Sequence, residues 1–339
     1  MTIYDISEKA GVSIATVSRV LNGSTNVSPK TREKVMAVVE QYGYTPNLFA
    51  RGLGLNTMNT IGILCVDSSD IFLAKAVYYM EEFLHGSGYD SLLCCSGYDL
   101  ESRKSYLNLL LSKKVDAIVM IGSSLVGQTD AENQHIRDAA KEIPIMLLNA
   151  SIDAPNVYSI LADDYHGMYH ATTAMLKSGI TDILYFYNSL SFSSKQKLAG
   201  FKDAMSAHGI SDVGKRTTYF EGSREDLSGM AEHLIKLHKS GLQFHGLLGM
   251  DDSTALAAVK YAKAMGLHIP DDLSIIGYNN SILSRCCEPE LSSVDNHLEL
   301  LCRNLTSTLM DVLAGKKVSR RAVYSSELVC RGSTKNPLN

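Results

Sequence analysis

No run in this chain approaches the ~20 consecutive apolar residues that a membrane-spanning helix requires. Its opening residues, MTIYDISEKAG, hold no basic stretch leading into an apolar one, so no secretory signal is visible. The expected compartment is the cytoplasm. Cysteine is scarce and poorly arranged for a framework: Cys65, Cys94, Cys95, Cys286, Cys287, Cys302 and Cys330 make an odd set of seven with no C-x-x-C spacing. Cys65, Cys94 and Cys95 lie in the apolar runs IGILCV and SLLCC. Reduced thiols packed as small hydrophobes are expected there, not disulfides or a zinc site.

Charge of one sign is also lacking. The chain carries a net −4, which argues against a crude polyanion binder. Residues 1–60 hold six Lys/Arg against four acids, a local +2 that leaves −6 for the remainder. That asymmetry is too weak to decide anything alone.

The signatures of common enzymes are missing as well. There is no G-x-x-x-x-G-K-[ST], H-E-x-x-H or G-x-S-x-G, and GLGLNT at 52–57 lacks both the third glycine and the preceding strand of a dinucleotide loop. His166 and His170 stand at helical i, i+4 spacing, but without a supporting carboxylate motif they read as a solvated helix face. Neither a metal nor a cofactor is expected. Paired acids, Asp163-Asp164 and Asp251-Asp252, close predicted strands, and in open α/β sheets such ends border the ligand crevice. Two carboxylates there could be catalytic or could hold sugar hydroxyls; the residues alone favour neither.

What the chain does have is 339 residues with 45% apolar content, enough for two or three domains with real cores. The first 45 residues follow a helical pattern. Thr2 with Asp5 forms a capping box for a helix that stops at Gly11, and Ser13 caps a second that ends at Asn22-Gly23. Ser28-Pro29 opens a third, with proline where its missing N–H costs nothing. Three short helices on tight turns make a helix-turn-helix pattern. In the second of them, SIATVSRVLNG, Val17, Val20 and Leu21 fall on one face and Ile14, Ala15, Ser18 and Arg19 on the other.

Residues 44–60 are polar and turn-rich around a brief helical segment. Beyond them TIGILCV, YDSLLCC, DAIVMI, IPIMLLN, DILYFY, GLLGM and DLSIIGY are strand-like runs, most of them separated by helical patterns. Alternating βα units imply parallel sheets covered on both faces, and around 270 residues of them exceed one sheet, so two similar lobes are expected.

TIYDISEKAGVSIATVSRVLNG, VSPKTREKV and YTPNLFARGL together resemble the N-terminus of LacI-family transcriptional regulators. IGILCVDSSDIF, DDYHG, KLAGF, IPDDLSIIGYNN, PELSSV and LVCRGST resemble, in order, that family's periplasmic-binding-protein-like core. The resemblance implies a small all-α helix-turn-helix headpiece (1–45), a hinge helix and linker (46–59) and a two-lobed α/β core (60–331). Its N-lobe would span about 60–157 and 292–320, its C-lobe about 158–291 and 321–331.

It further implies a recognition helix in the major groove of a palindromic operator. Ile14 and Ala15 fall where the family reads base edges, and Arg19 where a guanidinium can take guanine O6 and N7. Both readers before Arg19 are apolar, so they must rely on thymine methyls and shape. Thr2, Ser18, Asn22, Asn26, Ser28 and Thr31 match positions that grip phosphates, and Ile3 one that approaches bases. In the hinge segment PNLFARGL, Ala50 and Leu53 would share one face, with the leucine as a wedge between central base pairs. Gly52 and Gly54 weaken an isolated helix by ~0.5–1 kcal/mol each, so the hinge is expected to become helical only on a dimer's operator.

The implied effector site lies between the lobes, at Ser69, Phe72, Asp163, Ser193, Lys197, Asp251 and Asn279, with Arg224 reaching the cleft. Three of these depart from common usage. Lys197 stands where many members carry arginine, so a bidentate fork becomes a point charge. Asn279 replaces a common acid and Asp251 a common asparagine, which exchanges donor and acceptor roles. A sugar-like effector, no enzymatic activity and a homodimer without a tetramer-forming tail are what the resemblance implies. The alternatives are control by a phosphorylated partner protein, as in catabolite-control regulators, or a sugar-binding protein without DNA function. Whether ligand releases or promotes DNA binding is left open, because the family does both.

Overall fold

In the computed structural model the described residues are 1–44 and 57–335. The hinge segment, with Ala50 and Leu53, lies outside them. The headpiece consists of α1 (Ile3–Ala10), α2 (Ile14–Leu21) and α3 (Pro29–Gln41). Each begins on the expected cap: Thr2, Ser13 and Ser28 accept from Asp5 N, Thr16 N and Thr31 N. Gly11 ends α1 in the left-handed conformation at φ 58°. Ile6, Ala10, Val17, Val20 and Val35 form the small buried core, with Leu21 half-buried against it.

The remainder builds two six-stranded sheets. The first contains β1 (Thr60–Cys65), β2 (Asp90–Cys95), β3 (Ala117–Ile121), β4 (Ile145–Leu148), β5 (Val157–Ala162) and β11 (Arg321–Tyr324), in the order β11-β5-β4-β3-β1-β2. All its pairings are parallel. Helices α4 (Ile71–Gly86), α5 (Leu100–Ser112), α6 (Gln134–Ala140) and α11 (Leu298–Leu313) belong to this lobe, whose core takes in residues such as Leu84, Leu110, Ile136 and Leu305. Strand β3 is buried at every position, as a central parallel strand covered on both faces must be.

The second sheet contains β6 (Ile183–Tyr187), β7 (Thr217–Tyr219), β8 (Gly246–Gly249), β9 (Ser274–Tyr278), β10 (Ser292–Asp295) and β12 (Glu327–Val329). Its order is β12-β10-β9-β8-β6-β7, with only β12 antiparallel to its neighbour. Its helices are α7 (Asp164–Lys177), α8 (Phe192–Ala207), α9 (Leu227–Lys239) and α10 (Asp252–Met265). Helices α7 and α8 pack at Gly200, where an added Cβ would stand 2.2 Å from Tyr165 O. Only glycine permits that approach.

The chain passes between lobes three times, and the expected boundaries at 157/158, 291/292 and 320/321 each fall one strand early. β5 pairs with β4, β10 with β9 and β11 with β5, so each strand belongs to the lobe the chain is leaving. A strand completes the sheet it has run along, and the crossing follows at its C-terminal end. A second correction concerns cysteine: all seven thiols are free, but Cys95 is exposed and only Cys65, Cys94 and Cys302 are buried. His166 and His170 are exposed, and no group of three metal-ligating side chains forms among the described residues. No helix among them is long and apolar enough to cross a membrane.

Candidate DNA-reading face and inter-lobe cleft

Helix α2 divides as its periodicity demands. Val17 and Val20 are buried, while Ile14, Ala15 and Arg19 are exposed and Ser18 is half-exposed. An isoleucine left 40% exposed in so small a domain presents an apolar contact to whatever the helix meets. Two of the expected phosphate-gripping residues, Thr2 and Ser28, are helix N-caps, placing hydroxyls and backbone N–H groups at the positive ends of α1 and α3. Thr31 shares the second of these ends, its Oγ1 2.8 Å from Ser28 Oγ. Asn22 ends α2 and donates through Nδ2 to Ser18 Oγ at 3.4 Å, and Asn26 is exposed. Ile3 is half-buried and packs in part on the headpiece core, so less of it is free for bases than expected.

Arg32 does something the sequence did not suggest. Its guanidinium donates to Val20 O at 3.4 Å and to Ser24 O, bolting the C-terminal end of α2 to α3. It therefore fixes α2 from the side opposite its exposed face.

The inter-lobe cleft lies at the carboxyl ends of both sheets, where ligands bind in open α/β folds. Its inner chamber, about 90 Å³, is lined by Phe72, Ser193, Lys197, Arg224, Asp251 and Asn279 among others. Six of the eight expected effector residues are thus brought together. Two are not. Asp163 caps α7 and binds His166 Nδ1 at 2.8 Å, which commits its carboxylate away from the chamber. Ser69 sits outside, donating to Asp67 Oδ1 at 2.7 Å and across the lobes to Glu225 Oε1 at 3.2 Å. Residues that had not been singled out join the wall instead: Asp70, which caps α4, Asn149 and Ser191. Asp70 and Asn149 follow β1 and β4, so the strand-end rule applied to every strand would have found them.

The charged groups are differently employed. Lys197 is buried, donates to Met250 O at 2.9 Å and lies 3.7 Å from the Tyr278 ring centre. Burial lowers its pKa, against the opposing pull of Asp164 and Asp251. Asp251 caps α10 by accepting from Thr254 N at 2.9 Å and still faces the chamber. Its neighbour Asp252 turns inward, accepting from Ser281 N and Ser293 Oγ, both at 2.6 Å. Burial pushes the Asp252 carboxyl up to about 6. Gly277 lets it in: a Cβ there would stand 2.3 Å from Asp252 Oδ1. Arg224 is held loosely, 3.5 Å from Tyr98 OH and 4.0 Å from Asp70, both in the opposite lobe.

Residues 2–47 match the family of bacterial regulatory proteins, lacI family, and residues 172–334 match a periplasmic binding protein-like domain. An HTH-type transcriptional regulator of Lachnoclostridium phytofermentans is 50% identical over 334 residues, 98% of this chain and 99% of that protein. The chain belongs to the lacI family. Catabolite control protein A of Priestia megaterium is 32% identical over 298 residues, 87% of each chain. A lac repressor dimer bound to operator and the anti-inducer ONPF has the same fold, with a TM-score of 0.88 at 24% identity over 98% of this chain and 99% of that one. This lacI-family member is a DNA-binding transcriptional regulator, not an enzyme.

Proposed function

We propose that this regulator represses carbohydrate-utilisation genes in the cytoplasm and that a sugar-like effector between its lobes sets its affinity for a palindromic operator. The observation that carries this reading is the set of weak polar contacts across the cleft. Ser69 meets Glu225, Ser123 Oγ lies 3.0 Å from Ser191 Oγ, and Arg224 reaches Tyr98. Such contacts hold the lobes together without locking them. A polyhydroxylated ligand touching both walls stabilises one lobe arrangement over another, and only that difference can change DNA affinity. Arg19, Ile14 and Ala15 read bases, Thr2, Ser18, Asn22, Asn26, Ser28 and Thr31 hold phosphates, and Ala50 and Leu53 act in the hinge. Ser193, Lys197, Arg224, Asp251 and Asn279 line the effector site, with Phe72 beside them.

A homodimer fits the surface. Ile71, Tyr78, Ile282 and Leu300, each at least 42% exposed, line one groove of about 980 Å³ beside α4 and α11. Contiguous apolar exposure of this kind marks an interaction site. Selection of bound DNA from a random pool gives the operator, and fluorescence anisotropy on it with and without sugars tests the regulation. The expected outcome is a change of tenfold or more in operator affinity with a sugar that loses its effect in Asp251→Ala. Sugars that stabilise the protein yet leave operator affinity unchanged would refute the linkage.

A further inference from the structure

Beyond the inner chamber the cleft widens into an outer one of about 800 Å³, and Ser124, Ser191 and Arg224 line both. The two therefore share a wall. The inner chamber is well below the ~300–1,000 Å³ typical of small-molecule sites, whereas the outer one lies within that range. Two large aromatic side chains open onto the outer chamber from opposite lobes: Tyr98, 51% exposed, and Tyr219, 41% exposed. Tyr219 is braced by Tyr187, ring centres 5.2 Å apart.

Two buried polar atoms there have no partner in the protein. Asn188, 6% exposed, has an unfilled acceptor at Oδ1, and Arg103, also 6% exposed, an unfilled donor at Nε. Buried polar atoms without partners are rare and costly, and a ligand in the chamber reaches these two once the wall shifts to expose them. Their pairing of one acceptor with one donor suits hydroxyl groups. The charge balance points the same way. Besides the inward-turned Asp252, five carboxylates line the two chambers against three cations, Lys197, Arg103 and Arg224. Phosphorylated sugars and uronates would enter against that field.

We infer that the effector is a neutral oligosaccharide of two or more units, one in the inner chamber and the next between Tyr98 and Tyr219 in the outer, within reach of Asn188 and Arg103. This rests on the sugar-effector reading and deepens it. The C–H face of a pyranose is apolar, and an aromatic ring on each side of it supplies contact area while the rim hydroxyls find the two unfilled atoms.

Isothermal titration of the full chain tests the inference. The probes are glucose, galactose and xylose; cellobiose, xylobiose and maltotriose; and glucose 6-phosphate and galacturonate. A neutral di- or trisaccharide is expected to bind at least tenfold more tightly than its own monomer. Tyr98→Ala and Tyr219→Ala are each expected to reduce that ratio about tenfold. Both positions are exposed, so unchanged thermal midpoints establish that the variants fold. A monosaccharide binding as tightly as its oligomer, a ratio unmoved by both substitutions, or preference for an anionic probe overturns the two-chamber assignment while leaving a sugar site intact. Binding of none of the probes overturns the sugar reading as well.

Discussion

Replacing Arg32 with methionine separates a support of the reading helix from a contact to DNA. Arg32 reaches Val20 O at 3.4 Å and Ser24 O at the end of α2, and methionine keeps much of the apolar stem without the charge. A charged hydrogen bond contributes ~1.5–3 kcal/mol, the 3.4 Å contact lies at the weak end, and partial exposure discounts both. A cation at a helix C-terminus adds ~0.3–1 kcal/mol. The expected loss is about 2 kcal/mol in a domain whose fully buried core is five side chains. That lowers the folded-to-unfolded ratio of the headpiece by about 30-fold. Amide exchange in residues 17–21 should speed up by that factor, and operator affinity should fall only as far as the folded fraction does. The slope of log affinity against log salt decides the question. A lost phosphate contact flattens it by ~0.9, whereas a lost internal bolt leaves it unchanged. A flatter slope with unaltered exchange would show that Arg32 touches DNA and that the account of it as a brace is wrong.

Arg19→Ala should cost ~1–3 kcal/mol of discrimination between the selected operator and a copy altered at one guanine, with little effect on the altered site; equal losses on both would make Arg19 a phosphate contact. Asp252 makes the second lobe pH-dependent. Its folded pKa of about 6 lies above the ordinary 3.8, so the folded protein keeps a proton that the unfolded chain has released, and stability present below pH ~4 is lost as pH rises through 6. At ~1.4 kcal/mol per unit the loss is on the order of 3 kcal/mol. Wild type should therefore lose ground to Asp252→Asn in urea titrations between pH 4 and 7, and a constant difference across that window would rule the effect out.

The headpiece was legible because its signals are local. Thr2, Ser13 and Ser28 cap helices through backbone groups three residues away, and Pro29 needs nothing from the rest of the chain. The βα alternation was legible for the same reason. Asp163, Ser69 and the lobe boundaries were not. Both carboxylates in each Asp-Asp pair end a strand, but one caps the following helix and its neighbour points elsewhere, and which of them faces the cleft depends on where the other lobe lies. Asp251 faces it and Asp163 does not. Asp252 is fixed by Ser281 and Ser293, and Arg32 by the carbonyls of Val20 and Ser24, partners that no local pattern announces.

The placement of the crossings bears on regulation. Each pass between lobes follows the C-terminal end of a strand, so the crossings lie at the same edge as the cleft. Two of them are tied to its wall. Asn149, on that wall, donates to Asp164 Oδ2 at 3.1 Å beside the first crossing. Asn279, also on the wall and at φ 89°, accepts from Asn296 Nδ2 at 3.1 Å beside the second. The left-handed backbone at Asn279 suits glycine best and asparagine next. Asparagine therefore suits the backbone at this position while giving the side chain both a donor and an acceptor. A ligand hydroxyl donating to Asn279 Oδ1 would compete with Asn296 Nδ2 for it. Under the proposed sugar-effector reading, that exchange would couple ligand contact directly to the second crossing, and Asn296→Ala should then weaken the effect of the sugar on operator affinity while leaving sugar binding in place.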